Sequence, residues 1–206
     1  MGRHTGPTDK LSRREGVNLM LKGARSESGK IERRMVPPGP HAWRRGRMSD
    51  YGMRLRETQK VKRYYGVRDR QFMKCFHQAE RQKTDTGAVL LSLLERRLDN
   101  VVHKLGFAPS RPSARQMVTH GHIYLNGRRM NVPSCRVDVG DKITVKPSER
   151  STVLARARLE ELGEPHLQNW LQLDLAKLAG TVIAIPTRDD VMIPVEEQLI
   201  VEFCSH

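Results

Sequence analysis

Residues 86–145 constrain this chain most, because helix, turn and strand signals follow one another there with little room for any other fold. Apolar residues at Val89, Leu90, Leu93, Leu94, Leu98, Val101, Val102 and Leu105 recur every three or four positions. That is the spacing of an amphipathic helix over 87–105, which Gly106 stops. Ser110 is a good N-cap and Pro112 fits a first helical turn, where no intrahelical donor is lost. A second, shorter helix is therefore predicted over 110–120, ended by Gly121, with Ala114, Met117 and Val118 buried. Asn126-Gly127, set between Ile123-Tyr124-Leu125 and residues 128–132, supplies the positive φ angles of a type I′ hairpin. A third strand is predicted over 142–145, after the turn Val139-Gly140-Asp141.

Such a core is small, and basic groups crowd its expected exterior. Arg96, Arg97, Lys104, Arg111, Arg115, Arg128 and Arg129 fall at helix ends, on polar helix faces or in the hairpin, where they would line one phosphate-sized groove. Arg111 and Arg115 lie four residues apart on the short helix and are expected to carry the grip, with His120 at its end. The whole chain supports a polyanionic partner: the formal charge is +14 over 206 residues, and neutralising phosphates releases counterions. That charge is uneven. Lys and Arg less Asp and Glu give +14 for residues 1–84, +5 for 85–148 and −5 for 149–206, so the last quarter is expected to face something other than nucleic acid.

Around this module the chain reads as helical. Ser49 caps a helix to about residue 64, ended by Gly66. A second helix over 68–83 places Phe72, Cys75, Phe76 and Ala79 on one side, facing Met53, Val61 and Tyr64. Arg54, Arg56, Lys60, Lys62 and Arg63 crowd the first of these helices with only Glu57 nearby, a repulsion that phosphates would relieve, and Arg70 opens the second. Residues 1–48 are broken by glycine and proline and rich in cations, among them Arg3, Arg13, Arg14 and Lys22. One helix is expected over 12–22, the remainder ordering on RNA. Beyond residue 145, a helix over 151–162, a strand at 170–173, an apolar run at 181–185 and a closing helix within 195–203 are expected, the last returning to pack on 49–83. The predicted fold class is α+β. It comprises a basic arm (1–48), a mostly helical discontinuous domain (49–85 and 165–206), and an inserted module of two helices and a short antiparallel sheet (86–164).

The segments Leu94-Glu95-Arg96-Arg97-Leu98-Asp99-Asn100-Val101-Val102, Leu105-Gly106-Phe107-Ala108-Pro109-Ser110-Arg111, Ala114-Arg115-Gln116-Met117-Val118-Thr119-His120-Gly121-His122-Ile123 and Leu125-Asn126-Gly127 resemble the S-four RNA-binding module. Outside it, Leu11-Ser12-Arg13-Arg14-Glu15-Gly16, Ser49-Asp50-Tyr51-Gly52, Leu55-Arg56-Glu57-Thr58-Gln59-Lys60-Val61, Tyr65-Gly66-Val67, Arg70-Gln71-Phe72 and Leu199-Ile200-Val201-Glu202-Phe203 resemble the bacterial small-subunit ribosomal protein S-four family. The resemblance implies a cytoplasmic structural protein of the small ribosomal subunit. Such a protein binds 16S ribosomal RNA directly, clamps a multi-helix junction, nucleates assembly of the subunit body and contributes to translational accuracy. It implies RNA contacts from Arg3, Arg13, Arg14, Lys22, Arg54, Arg56, Lys60, Lys62, Arg63, Arg70, Arg96, Arg97, Lys104, Arg111, Arg115, His120, Arg128 and Arg129. Arg44, Arg45 and Arg47 match the family's basic cluster where messenger RNA enters. Neighbouring proteins of S-five type, meeting the acidic C-terminal region, and of S-three type, near the messenger path, are implied as partners.

No cofactor or metal is expected. Cys75, Cys135 and Cys204 stand alone without a CxxC pair, and the N-terminal zinc cysteines that some members of the resembled family carry have no counterpart before Cys75. No membrane span is expected either, since no long apolar run occurs. The same module accompanies catalytic domains in pseudouridine synthases and tyrosyl-tRNA synthetases. Here, however, Arg97-Leu98-Asp99 lies inside a predicted helix, and no Gly-rich phosphate loop, nucleophile elbow or zinc-binding His pair is present. An enzyme is not expected. A free-standing RNA chaperone is the alternative, but it would lack the basic arm and acidic C-terminal region.

Overall fold

The computed structural model describes residues 4–23, 26, 33, 36–41, 46–163 and 167–205. Among these the helices are α1 (Thr8–Glu15), α2 (Asp50–Tyr64), α3 (Asp69–Glu80), α4 (Thr86–Glu95), α5 (Leu98–Lys104), α6 (Arg111–Thr119), α7 (Glu149–Leu162) and α8 (Glu197–Ser205). The strands are β1 (Ile123–Leu125), β2 (Arg128–Met130), β3 (Lys142–Val145), β4 (Leu171–Asp174) and β5 (Ala179–Val182). Contacts group the chain into two units, one of Met1–Leu90 with Met192–His206 and the other of Leu91–Val191.

The first unit is helical. The Ser49 hydroxyl accepts from the Gly52 amide and starts α2, and Gly66, at φ 62°, follows its last turn. Phe72, Cys75, Phe76 and Ala79 of α3 are buried, as are Val61 and Tyr64 of α2. Met53, expected to face them, is instead 43% exposed. Helix α8 returns to pack on α2, with Glu202 Oε2 paired with the Arg54 guanidinium at 2.8 Å and the Phe203 ring 5.7 Å from that of Tyr51. The first helix begins at Thr8 rather than at residue 12, after Pro7, and it ends before the predicted residue 22 because Gly16 turns left-handed at φ 68° directly after Glu15.

The second unit is a five-stranded antiparallel sheet in the order β2-β1-β3-β5-β4 with helices packed against it. The β1–β2 hairpin turns on Asn126 (φ 50°) and Gly127 (φ 76°), with Ile123 opposite Met130. Leu98, Val101, Leu105, Phe107, Val118, Ile123, Ile143, Trp170 and Val182 share one buried core. Glycine is required at Gly180, where a Cβ would overlap the side chain of Leu105. Two features differ from the sequence reading. Strands β4 and β5, expected within the helical domain, join the module's sheet, and the second unit runs on to Val191 rather than to residue 164. Pairing β5 on β3, with Lys142 opposite Thr181, covers an edge that a three-stranded sheet would leave open. The single helix expected over 87–105 is also broken, into α4 and α5. Arg97 is extended (φ −70°, ψ 136°) and bridges Arg136, while the Leu98 and Asp99 amides donate to the Cys135 and Pro133 carbonyls at 2.8 and 3.1 Å. The loop before β3 thus supplies the backbone partners that a continuous helix would have found within itself.

Candidate nucleic-acid interface

Basic residues of the second unit divide into an internal set and an external one. The break between α4 and α5 is held by buried charge. Arg97 forks onto Asp99, Nε to Oδ1 at 3.1 Å and Nη2 to Oδ2 at 2.7 Å, with side chains only 3% and 5% exposed. Arg115 Nη1 reaches the same Oδ2 at 3.1 Å. Beside this triad Arg111 Nε donates to Asn100 Oδ1 at 2.8 Å. Asn100 Nδ2 in turn donates to the Glu95 carbonyl and carboxylate at 2.9 and 2.5 Å. Glu95 also pairs with Lys104 Nζ at 2.6 Å, and the ammonium lies 5.6 Å from the Trp170 ring centroid. Burial pulls the Lys104 pKa down and the Glu95 charge opposes that pull. Every member is held by another, which a buried polar network requires. The expectation that Arg97, Lys104 and Arg111 lie outside the core is therefore corrected: all three brace the fold from within, and Asp99 is their structural partner. Arg96 is half-buried, donates through Nε to the Val137 carbonyl at 2.9 Å and pairs with Asp138.

Arg128, Arg129 and His120 form the external set, all exposed, with Arg115 partly so. Arg129 sits opposite Tyr124, and Tyr124 opposite Thr144, so strand alternation sets Arg129, Tyr124 and Thr144 on one sheet face, with Lys142 two residues further along β3. The Arg129 guanidinium lies against Gly121, whose φ of 74° and missing side chain make room for it. On either side stand His120 and His122, ring centroids 6.2 Å apart. His122 Nδ1 is 2.9 Å from Ser151 Oγ, and burial, then His120 and Lys146, lowers its pKa. Tyr124, His122, Lys142 and Lys146 were not singled out from sequence. The strand register brings Tyr124 and Lys142 forward, and the Lys146 amide donating to the His122 carbonyl at 2.7 Å carries the β1–β3 pairing on to the other two.

Cations of the first unit are more fully paired than the sequence suggests. Glu57 is not alone on α2: Arg56 and Arg63 meet Glu15 from α1, Lys62 meets Asp69 from α3, and Arg54 meets Glu202 from α8. Lys60 binds Glu57 and the Pro194 carbonyl, the latter at 3.2 Å. Arg13 Nε donates to the Val36 carbonyl at 2.9 Å, and Lys22 pairs with Asp9 at 3.2 Å. Arg14, Arg47 and Arg70 are exposed. Arg3, Arg44 and Arg45 lie outside the described residues. Among the described residues no cluster of three His, Cys, Asp or Glu side chains could hold a metal ion, and no helix is long and apolar enough to cross a membrane.

Residues 3–95 match the family described as Ribosomal protein S4/S9 N-terminal domain, and residues 96–143 match the S4 domain. The chain is 50% identical over 208 residues to small ribosomal subunit protein uS4 of Thermus thermophilus, covering 100% of both chains. It is similar, at 51% identity over 207 residues and the same full coverage, to uS4 of Halothermothrix orenii. Against uS4 of a Geobacter species the identity is 48% over 207 residues, again across 100% of both.

Proposed function

This chain belongs to the uS4 family of small ribosomal subunit proteins, and on that premise we propose that it clamps a junction of several 16S ribosomal RNA helices, nucleates assembly of the subunit body and contributes to translational accuracy. As a family member it is a structural constituent of the small subunit in the cytoplasm, an RNA-binding protein and not an enzyme. The observation that carries the reading is the division of cations in the second unit. Arg97, Lys104 and Arg111 are consumed in a buried network, and Arg128, Arg129 and His120 are left exposed around the hairpin. A rigid scaffold that fixes the position of a few outer cations recognises shape, and folded RNA is read by shape and phosphate position more than by base edges.

In the first unit Arg13, Arg14, Lys22, Arg54, Arg56, Lys60, Lys62, Arg63 and Arg70, with Arg3, are assigned to the same RNA, the paired ones offering the donor groups their carboxylates leave over. Arg44, Arg45 and Arg47 are assigned to the messenger path. The acidic C-terminal region faces an S-five type neighbour, and an S-three type neighbour lies near the messenger.

Filter binding to a junction-containing 16S fragment tests the assignment. The Arg128→Ala/Arg129→Ala variant is expected to keep its unfolding midpoint, lose affinity and flatten the salt dependence by about two phosphate contacts. Arg111→Ala is expected to act through stability instead. Full affinity and an unchanged salt slope in the double variant would reject the assignment.

A further inference from the structure

The first unit holds an open cleft of about 340 Å³ lined by Arg14, Pro37, Pro38 and Arg56. That is the low end of the roughly 300–1,000 Å³ usual for small-molecule sites, and suits one nucleotide better than a duplex. Two observations mark it as more than a surface fold. First, a buried carboxylate pairs with one of the cleft's two lining arginines. Glu15 follows Arg14 in α1, its side chain is 0% exposed, and Oε1 accepts from Arg63 and from Arg56 Nη1 at 3.2 Å, while Oε2 has no partner among the described residues. Burial raises the Glu15 pKa against the pull of Arg63, Arg56, Lys60 and Arg14, so the ionised group is an uncomfortable resident that gathers cations around itself. Four cations against one such carboxylate leave the neighbourhood of the cleft positive, even with Glu57 taking Lys60. Second, the rest of the described lining is apolar and stiff. Pro37 and Pro38 have locked φ angles, and the segment is tied to α1 by Arg13 Nε donating to the Val36 carbonyl at 2.9 Å.

Two guanidinium groups and two proline rings in one lining match the two halves of a nucleotide, an anionic phosphate and a flat base. We propose that the cleft receives one unpaired nucleotide of RNA, its phosphate between Arg14 and Arg56 and its base against Pro37 and Pro38, with Glu15 as the positioning residue that holds Arg56 in place. This rests on the reading that the chain binds 16S ribosomal RNA, and deepens it to a single-stranded site within the first unit. With both guanidinium groups turned to the phosphate, the described lining leaves only proline to meet the base, so the cleft selects an extruded nucleotide and tolerates its identity.

The test uses the full chain with a 16S ribosomal RNA transcript and nucleotide-resolution chemical probing, together with affinity against salt. Arg14 is exposed, so Arg14→Ala should fold with an unchanged unfolding midpoint. It is expected to weaken binding by about tenfold, flatten the salt slope by about one contact, and restore reactivity at one unpaired nucleotide. Pro37→Ala/Pro38→Ala is expected to restore reactivity at the same nucleotide with the salt slope intact, a split that a general loss of charge would not produce. Wild-type affinity and an unaltered protection pattern in both variants would overturn the cleft assignment while leaving ribosomal RNA binding in place. So would loss of a co-purifying small-subunit protein with RNA protection intact, which would make the occupant a peptide. A wild-type chain that protects no 16S nucleotide would overturn the underlying reading as well.

Discussion

Gly121 decides how the hairpin presents its charge. At φ 74° any side chain is strained, and a Cβ there would overlap Arg129 Nε. Gly121→Ala should therefore cost about 1–2 kcal/mol in urea unfolding. It should also turn the Arg129 guanidinium away, so that Arg129→Ala adds little further loss of RNA affinity when combined with Gly121→Ala. Independent, additive losses would show that the two residues do not act together. His103 is the residue whose titration matters to the fold. Burial lowers its pKa to about 4, with Arg111 reinforcing the shift and the Ala108 carbonyl, 3.0 Å from Nδ1, opposing it. Because the folded value lies below the ordinary 6.5, the unfolded chain takes up the proton first as pH falls. The neutral ring's stabilisation is thus complete above about pH 6.5 and drains away between there and about 4, on the order of 3 kcal/mol in all. Urea midpoints at pH 7 and pH 4.5 should diverge in the wild type and converge in His103→Gln. Equal divergence in both would assign the acid sensitivity elsewhere.

At the level of elements, the junction of α4 and α5 is held by Asn100, which joins Glu95 to Arg111 through its two amide atoms. Asn100→Ala would strip partners from both buried groups and should cost about 2–4 kcal/mol. Asn100→Asp, placing a second carboxylate against Glu95, should cost more. A loss below about 1 kcal/mol for the Ala variant would show that the network is incidental. This junction also shows where sequence reading reaches its limit. Leu94 and Leu98 are four apart, a spacing that a continuous helix and a broken one both satisfy, and the break is dictated by carbonyls at Pro133 and Cys135, far downstream in the chain. The hairpin was legible because Asn126-Gly127 is a local signal, and the caps at Ser49 and Ser110 were legible for the same reason. The apolar runs of β4 and β5 were visible, but which sheet they join depends on an open edge of β3 that no local pattern announces. Nor does residue type separate Arg97, forked onto Asp99, from Arg129, left exposed.

Across the whole molecule the formal charge of +14 remains after the internal pairs are counted, since each pair cancels equally. The structure distinguishes the cations by their partners: among the described residues those of α2 meet Glu15, Glu57, Asp69 and Glu202, while Arg128 and Arg129 on the hairpin of the second unit and Arg14, Arg47 and Arg70 of the first are exposed. Cations held in fixed positions by a folded scaffold should favour an RNA that is itself rigid and branched over any uniform polyanion. The decisive measurement is binding to a 16S junction fragment and to duplex DNA of equal length, each across a salt series. With about six to ten phosphates engaged, junction affinity should fall by roughly three to five powers of ten between 50 and 200 mM salt while staying well above that for the duplex at every point. Equal affinity for the two, with one common slope, would mean that the chain reads charge alone and that its folded scaffold adds no recognition.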